Sequence, residues 1–419
     1  MTSFILLAGG KGTRLKKIIK NKSKCLIKVN KNTLLEKIYK RIRSENFKKI
    51  YIIINKSQKD IINFINKKKL KIKIIIENKY LGDGGALTNL KTITNFEKEK
   101  FVIINTDLLI NFNFKKFINY SKIKTDLCIV SHPNDHPHDS DLLVVDKNNK
   151  LQNFYAKPHN KNLIYTNLTS AGIYFIKGSL INFIPNKKLK FNNFLIPFFL
   201  KKKIKIYSYK TSEFIKDIGT IDRLKVAKNI EKSEKFLISN NSKKKPAIFL
   251  DRDGVINKEI NYKVEDPSIL MPKTADALKK INNSKYLSII ITNQPSIAKG
   301  FLNEKKLNYL HQKLETKLGQ FGCYINDIFY CPHHPQKGFN GEIKSLKINC
   351  KCRKPKIGLI LQAKKKYNID LKRSFFVGNS NSDKQCAKKA KIHYLEVSKE
   401  NKNLFNVLKK NQKLIGITF

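Results

Sequence analysis

The stretch IFLDRDGVIN, Ile248 to Asn257, runs an apolar strand into two carboxylates one residue apart, Asp251 and Asp253, with Gly254 behind them. A carboxylate at a strand end, backed by Mg2+, can attack phosphorus. A second one, two residues on, can protonate the leaving oxygen and then activate water. Partners of suitable chemistry follow in order. Thr292 and Asn293 close the run IIITNQ as hydroxyl and amide donors for a phosphoryl group, and Lys354 in CRKP is a cation for its oxygens. FFVGNSNSD, with Asn379 and Asp383, closes the set after another strand.

A different set lies nearer the N-terminus. LLAGGKGTRL places Ala8, Gly9, Gly10, Gly12, Thr13 and Arg14 directly after the first apolar run. Glycines there let the backbone approach a phosphate and aim amide hydrogens at it, and Arg14 adds a fixed charge. The turn is neither a Walker loop nor the dinucleotide fingerprint. Lys24 follows, then a second glycine loop with Leu81, Gly82, Gly84 and Gly85. Asp107 ends the strand INTD, where a carboxylate can hold Mg2+; Lys157, Gly172 and Asp217 come later in FYAKP, TSAGIYF and IKDIGTIDRL.

Seven cysteines, an odd number, argue against a disulfide framework. Cys331 and His333 form one short-spaced pair and Cys350 and Cys352 another, which together can close a tetrahedral Cys3His zinc site. With all four positions filled, that zinc is structural, pinning the loop that leads to Lys354; His334 is an alternative to His333. The segment HPNDHPHDSDLL carries three histidines, read as loop residues rather than as a metal site, and two acids, Asp139 and Asp141.

Elements that could position these groups are legible as alternating β-like and helix-like runs. Up to about Phe236 the order is strand SFILL, helix TLLEKIYKRIRSE, strand KIYIIIN, helix SQKDIINFINKK, strand KIKIIIE and strand FVIINTD. Such alternation implies an α/β fold with a doubly wound parallel sheet, whose ligands bind beyond the carboxyl ends of the strands. The polar stretch SNNSKKKPA then separates it from a second alternation: AIFLD, TADALKKINN, LSIIITN, EKKLNYLHQKLETKLG, SFFVGN. The expected organisation is therefore two doubly wound, Rossmann-like domains, 1–237 and 247–419, joined by a linker at 238–246.

The first set of motifs, in this order, resembles the sugar-nucleotide pyrophosphorylases, nucleotidyltransferases that join a sugar 1-phosphate to a nucleoside triphosphate. The resemblance implies that Ala8, Gly9, Gly10, Gly12, Thr13, Arg14 and Lys24 hold the triphosphate and that Leu81, Gly82, Gly84 and Gly85 line the base. It further implies Asp107 and Asp217 as Mg2+ ligands, with Lys157, Asp141 and Gly172 meeting the sugar phosphate. Ser23 stands where the family has proline, and Ala156 where it has a glutamate that holds sugar hydroxyls. The histidine-rich segment is similar to the heptose-1-phosphate guanylyltransferase branch.

The second set resembles the haloacid dehalogenase superfamily of phosphatases. Asp251 is then the nucleophile, Asp253 the general acid/base and a Mg2+ ligand through its backbone carbonyl, and Thr292, Asn293 and Lys354 the phosphoryl clamp. Asn379 stands where an aspartate usually binds Mg2+, which implies either that Asp383, four residues on, compensates as a ligand or that the metal site is looser. The zinc loop beside TNQPSIAKG is similar to the D-glycero-D-manno-heptose-1,7-bisphosphate 7-phosphatase group, near histidinol phosphatases. Jointly the resemblances imply removal of the C7 phosphate, then GMP transfer from GTP to heptose 1-phosphate, giving GDP-heptose for a surface polysaccharide such as lipopolysaccharide. Another sugar such as mannose 1-phosphate, paired with a general sugar-phosphate or histidinol-phosphate phosphatase, is the alternative reading.

A net charge of +53 over 419 residues raises nucleic acid as a partner. The lysines are spread along the chain rather than gathered in one helix or tail, however, and no RNA-binding motif stands out. The charge suits anionic small-molecule substrates instead. No uncharged apolar run reaches a membrane span, and MTSFILLAGG lacks the basic region and cleavage site of a signal peptide, so a cytoplasmic enzyme is expected.

Overall fold

The computed structural model describes residues 2–9, 22–160, 162–259 and 269–419. Gly10, Gly12, Thr13 and Arg14 of the first glycine turn lie outside the described residues. The chain divides into two compact units. The first comprises Met1–His132, Ser140–Lys157 and Leu168–Asn240; the second comprises Pro133–Asp139, Pro158–Asn167 and Asn241–Phe419.

Strands of the first unit are β1 (Thr2–Leu7), β2 (Ile50–Asn55), β3 (Lys73–Glu77), β4 (Lys100–Asn105), β5 (Leu108–Asn111), β6 (Leu127–His132), β7 (Leu142–Val145), β8 (Leu151–Tyr155), β9 (Thr169–Lys177), β10 (Ile206–Lys210) and β11 (Phe214–Asp217). Nine of them form one sheet with the path β8–β7–β9–β4–β1–β2–β3, with β6 on β9 and β10 on β6. The portion β4–β1–β2–β3 is parallel. Helix α1 (Leu34–Arg43) leads from β1 to β2 and α2 (Lys59–Lys67) from β2 to β3. The portion beyond β4 is antiparallel at β9–β4, β9–β7 and β8–β7, the last because β7 and β8 join through a short turn that reverses the chain. Successive side chains of β1 enter opposite cores, Phe4 and Leu6 on one face, Ile5 and Leu7 on the other. Burial on both faces explains its unbroken apolar run. The strand order reverses between β1 and β4, so the first glycine turn and Asp107 both follow strands at the switch point. Off the sheet, β5 and β11 form a two-stranded antiparallel ribbon pairing Leu108 with Asp217.

In the second unit, β12 (Ala247–Leu250), β13 (Leu287–Asn293), β14 (Asp327–Cys331), β15 (Phe375–Gly378) and β16 (His393–Glu396) form a parallel sheet ordered β14–β13–β12–β15–β16. Here the switch point lies between β12 and β15, the strands that precede Asp251 and Asn379. Helices α3 (Thr274–Asn283), α4 (Glu304–Gln320), α5 (Gly358–Tyr367) and α6 (Asn381–Ala390) belong to this unit, and two apolar cores lie on the two sheet faces.

Two features were not legible as domain boundaries. Pro133–Asp139 and Pro158–Asn167 group with the second unit, where Tyr165 N–H donates to Thr316 Oγ1 at 2.9 Å and Asn167 N–H to Glu315 Oε2 at 3.3 Å, both on α4. The stretch read as a linker is tied down from Asn241 onward. Lys245 is 2% exposed, donates through Nζ to Asn241 at 2.8 Å, and exchanges backbone bonds with Asn368 and Asp370. Polar composition marked a linker, and in the structure the polar groups of Asn241 and Lys245 are hydrogen-bonded.

Candidate active sites

In the first unit, strand ends bring three charged groups together. Asp107 follows β4 in a turn whose backbone carbonyl accepts from Ile218 N–H at 2.9 Å, which sets it beside Asp217 at the end of β11. Lys24 Nζ lies 3.1 Å from Asp107 Oδ2, and Arg223, on the helix Ile221–Ile230, pairs with Asp217 Oδ2. Burial pushes the Asp217 carboxyl up, the charge of Asp107 pushes it further, and Arg223 and Lys24 pull it back. Two adjacent carboxylates favour a cation between them, and their hard oxygens fit Mg2+. Arg223 was not singled out from the sequence.

Ala8 leaves β1 with its N–H bonded to Ile53 O at 3.1 Å, and a Cβ on Gly9 would come within 3.3 Å of Glu77 Oε1. Glu77 ends β3, is 1% exposed, and accepts from Leu81 N–H through Oε2 at 3.4 Å. Burial raises its carboxyl. The sequence flagged Glu77 only as a strand end; its carboxylate lies between Gly9 and the second glycine loop. The glycines of that loop have a structural reason of their own. A Cβ on Gly82 would lie 2.5 Å from Leu189 O, and one on Gly85 2.3 Å from Lys187 O.

Asp141 and Lys157 meet at the ends of the β7–β8 hairpin: Lys157 N–H donates to Asp141 Oδ1 at 2.9 Å, while Asn192 donates to Oδ2 at 2.6 Å. Gly172 has φ +74 and lies where a Cβ would come 2.9 Å from Asn105 Nδ2, at the end of β4. Asp139 falls in the second unit.

The second unit's cluster is more buried. Lys354 Nζ bridges Asp251 Oδ1 at 2.8 Å and Asp383 Oδ1 at 2.6 Å; the side chains of Lys354 and Asp383 are 2% and 0% exposed. The Asp383 contact is ionic rather than a well-aligned hydrogen bond. Burial pushes Asp251 up, Lys354 pulls it back, Asp383 pushes it again, and the net position is about 6. Burial alone would depress Lys354, but the two aspartates outweigh it and leave the lysine raised. Asp383 is committed elsewhere as well: its Oδ2 accepts from Ser380 N–H at 3.2 Å and Ser380 Oγ at 2.7 Å, closing the capping box of α6. Asn379 follows β15, and its amide abuts Gly254, where a Cβ would come 2.1 Å from Nδ2. Gly254, at φ +78, is therefore required both by its backbone and by the space Asn379 fills.

Of the two donors read at the end of β13, Thr292 is 1% exposed and accepts from Gln294 Nε2 at 2.9 Å, leaving its own proton free to donate. Asn293 is spent on Lys354: its Oδ1 accepts from Lys354 N–H at 3.0 Å and its Nδ2 donates to Lys354 O at 3.2 Å. Asp253 accepts from Arg252, Gln294 and Asn257.

Cys331, His333, Cys350 and Cys352 offer ligand atoms all within 4.8 Å of one another. Sulfur separations are 3.5 Å for Cys331–Cys350, 3.1 Å for Cys331–Cys352 and 3.3 Å for Cys350–Cys352. Tetrahedral bonds of about 2.3 Å would place sulfurs about 3.8 Å apart, so the three sulfurs would have to open by about 0.3–0.7 Å to seat a Zn2+-sized centre. His333 points Nδ1 into this group, 3.3 Å from Cys352, whereas His334 bonds Gln336 O. Among the described residues, no histidine of the HPNDHPHD segment joins such a group.

Residues 3–234 match the family model described as Nucleotidyl transferase, just over half of the chain. The chain belongs to the nucleotidyl transferase family. Its second part, residues 249–406, matches the model Polynucleotide kinase 3 phosphatase. Over 146 residues the chain is 47% identical to the D-glycero-alpha-D-manno-heptose-1,7-bisphosphate 7-phosphatase of Photorhabdus laumondii, which covers 34% of this chain and 77% of that protein. The D-glycero-beta-D-manno-heptose-1,7-bisphosphate 7-phosphatase of Escherichia coli is 34% identical over 152 residues, 36% of this chain and 78% of that one. The crystal structure of HddC from Yersinia pseudotuberculosis complexed with GMP-PN covers 55% of this chain and 100% of its own, at 25% identity and TM-score 0.48. This nucleotidyl transferase family member is thus an enzyme that also carries a phosphatase half. Among the described residues no helix is long and apolar enough to cross a membrane.

Proposed function

We propose that the chain carries out two successive steps of nucleotide-sugar synthesis: release of the C7 phosphate from D-glycero-D-manno-heptose 1,7-bisphosphate, then transfer of GMP from GTP to the resulting heptose 1-phosphate. The observation that carries this reading is the 47% identity of the second half to a heptose-bisphosphate 7-phosphatase, on a chain whose first half is a nucleotidyl transferase. A 7-phosphatase leaves a sugar 1-phosphate, which is what a sugar nucleotidyltransferase consumes. The alpha anomer is favoured, since relatives named for the beta anomer stand at 34–39%.

In the phosphatase half, Asp251 Oδ attacks phosphorus as the ester oxygen leaves with the proton of Asp253. Asp253 then takes a proton from the water that cleaves the aspartyl-phosphate. Lys354 and the hydroxyl of Thr292 hold the phosphoryl oxygens. Mg2+ would be held by the Asp251 carboxylate, the Asp253 carbonyl and the Asn379 amide oxygen, and supplies charge neutralisation when bound. In the transferase half, Asp107 and Asp217 would hold Mg2+, and Lys24 and the first glycine turn would position the triphosphate for in-line attack by the sugar phosphate. Zinc at the Cys3His group would fix the loop that ends in Lys354.

The buried Glu77 carboxylate supports GTP. It is acceptor-only when ionised, and guanine alone among the common bases sets a ring N–H and an amino group side by side on its pairing edge. The test is a panel of alpha and beta heptose 1,7-bisphosphate with each nucleoside triphosphate, following phosphate and pyrophosphate separately. Expected is phosphate release from the alpha bisphosphate, and pyrophosphate release only with GTP and the dephosphorylated sugar. Equal rates with mannose 1-phosphate would refute the heptose assignment.

A further inference from the structure

Arg252 lies between the two catalytic aspartates in sequence, yet it is 0% exposed and takes no direct part in the steps above. Its guanidinium is fully engaged. Nε and Nη2 donate to Asp253 Oδ1 at 3.1 and 3.0 Å, Nη2 reaches Oδ2 at 3.0 Å and Gln294 Oε1 at 3.1 Å, and Nη1 faces His311 Nε2 at 3.2 Å. Gln294, also 0% exposed, turns its Nε2 to Asp253 Oδ2 at 3.0 Å. His311 projects from the middle of α4, buried against the Tyr330 ring. Burial and the neighbouring arginine hold it well below the ordinary histidine range, so the ring is neutral and Nε2 accepts from Arg252.

A general acid must surrender its proton and survive as a carboxylate until water arrives. The geometry points to Arg252 as the positioning residue for Asp253, with His311 and Gln294, among the described residues, as acceptors that keep its fork turned toward that carboxylate. When the phosphorus–ester oxygen bond breaks, the proton of Asp253 passes to the leaving oxygen, and the new carboxylate is received by a bidentate guanidinium and an amide already in place. It is thereby oriented to take a proton from the attacking water. An arginine is suited to this seat because its planar fork meets both carboxylate oxygens, which an ammonium cannot do. The inference rests on the phosphatase reading but on no particular sugar.

The experiment compares an alkyl phosphomonoester, whose leaving oxygen needs a proton, with an aryl phosphate, whose leaving group departs as the anion. The variants are Arg252→Lys, His311→Leu and His311→Gln in the full chain. Arg252→Lys and His311→Leu should lower kcat on the alkyl ester by about 100-fold. KM should stay within about twofold, and the first-turnover burst of aryl alcohol from the aryl phosphate, which precedes the shared hydrolysis of the aspartyl-phosphate, should slow only a few-fold. His311→Gln, which keeps an acceptor in reach of Arg252, should recover most of the loss. Equal slowing of the first-turnover alcohol release from both esters, or no recovery with glutamine, would overturn the inference in favour of a merely structural role. A wild-type chain that hydrolysed neither ester would overturn the phosphatase reading and the inference with it. Nucleotidyl transfer, followed in the same preparations, should be unchanged.

Discussion

Replacement of Asp383 by asparagine should destabilise the second unit by about 2–3 kcal/mol. The magnitude follows from two losses. Lys354, 2% exposed, keeps Asp251 but loses the ionic contact of 2.6 Å with Asp383. Removing one partner of a buried pair costs about 3–5 kcal/mol when the other charge is stranded; with Asp251 still present, roughly half of that is expected. The asparagine amide also presents a donor either to Lys354 or to Ser380 N–H, weakening the capping box of α6 by about 0.5–1 kcal/mol. Because the two units need not unfold together, a single melting midpoint is a poor readout. Hydrogen exchange of the amides of β12 and β15, neighbours in the sheet, isolates the relevant unit. Phosphatase activity should fall with it while nucleotidyl transfer persists. Unchanged protection of β15, together with a tenfold rise in the Mg2+ needed for phosphate release, would show that Asp383 serves the metal and not Lys354.

Asn379→Asp should lower the Mg2+ concentration for half-maximal phosphate release, measured by titration of the metal-free chain; an unchanged midpoint removes Asn379 from the ligand set. Cys350→Ser should abolish retention of zinc in metal analysis of the purified chain and cut phosphate release, since Cys350 and Cys352 precede Lys354 directly. Glu77→Gln should reduce kcat/KM for GTP by roughly 10–100-fold through loss of a charged acceptor, with ATP affected less; parallel losses for all triphosphates would remove Glu77 from base selection. Asp251 sits at about 6 in the folded chain, against an ordinary value of 3.8. The folded state thus binds more protons between those values, and this group's stabilising contribution, complete below the lower value, is lost as pH rises through the upper one. In metal-free protein, Asp251→Asn should remove that part of the slope in urea unfolding of the second unit between about pH 4 and pH 6.5.

Strand ends were readable because β1, β4, β12, β13 and β15 are buried on both faces and spell continuous apolar runs, so the acids after them stood out. The antiparallel strands β7 to β9 were not, since LLVV, LQNFY and TSAGIYFIK have no helix-like run between them and carry no mark of direction. Arg252 escaped notice for a different reason. It falls between two aspartates in a motif that reads as complete without it, and its meaning depends on His311, 59 residues away on α4. The glycines at 82, 84 and 85 were legible as a loop. The close approach of the 187–191 backbone, which demands them, is a tertiary fact that no local pattern encodes. Asn293 matched a donor by type, but only the fold shows its amide spent on the backbone of Lys354.

The two sites gather acids at strand ends in the same way but differ in how their cations are held, and the difference suits the two reactions. Lys24 and Arg223 remain 16% and 23% exposed, each paired with a separate acid. Each can exchange its carboxylate for a phosphate oxygen at lower cost than a sealed pair, because its charges still reach solvent. That freedom fits a site that must admit a triphosphate and discharge pyrophosphate. Lys354 is sealed between two aspartates, and moving it would strand charge in the interior. On the mechanism proposed above, a lysine so fixed would serve a small phosphoryl group that changes partners, from ester oxygen to Asp251 to water, while its own position hardly moves. Stabilising that transfer calls for charge already in place rather than charge that follows the ligand.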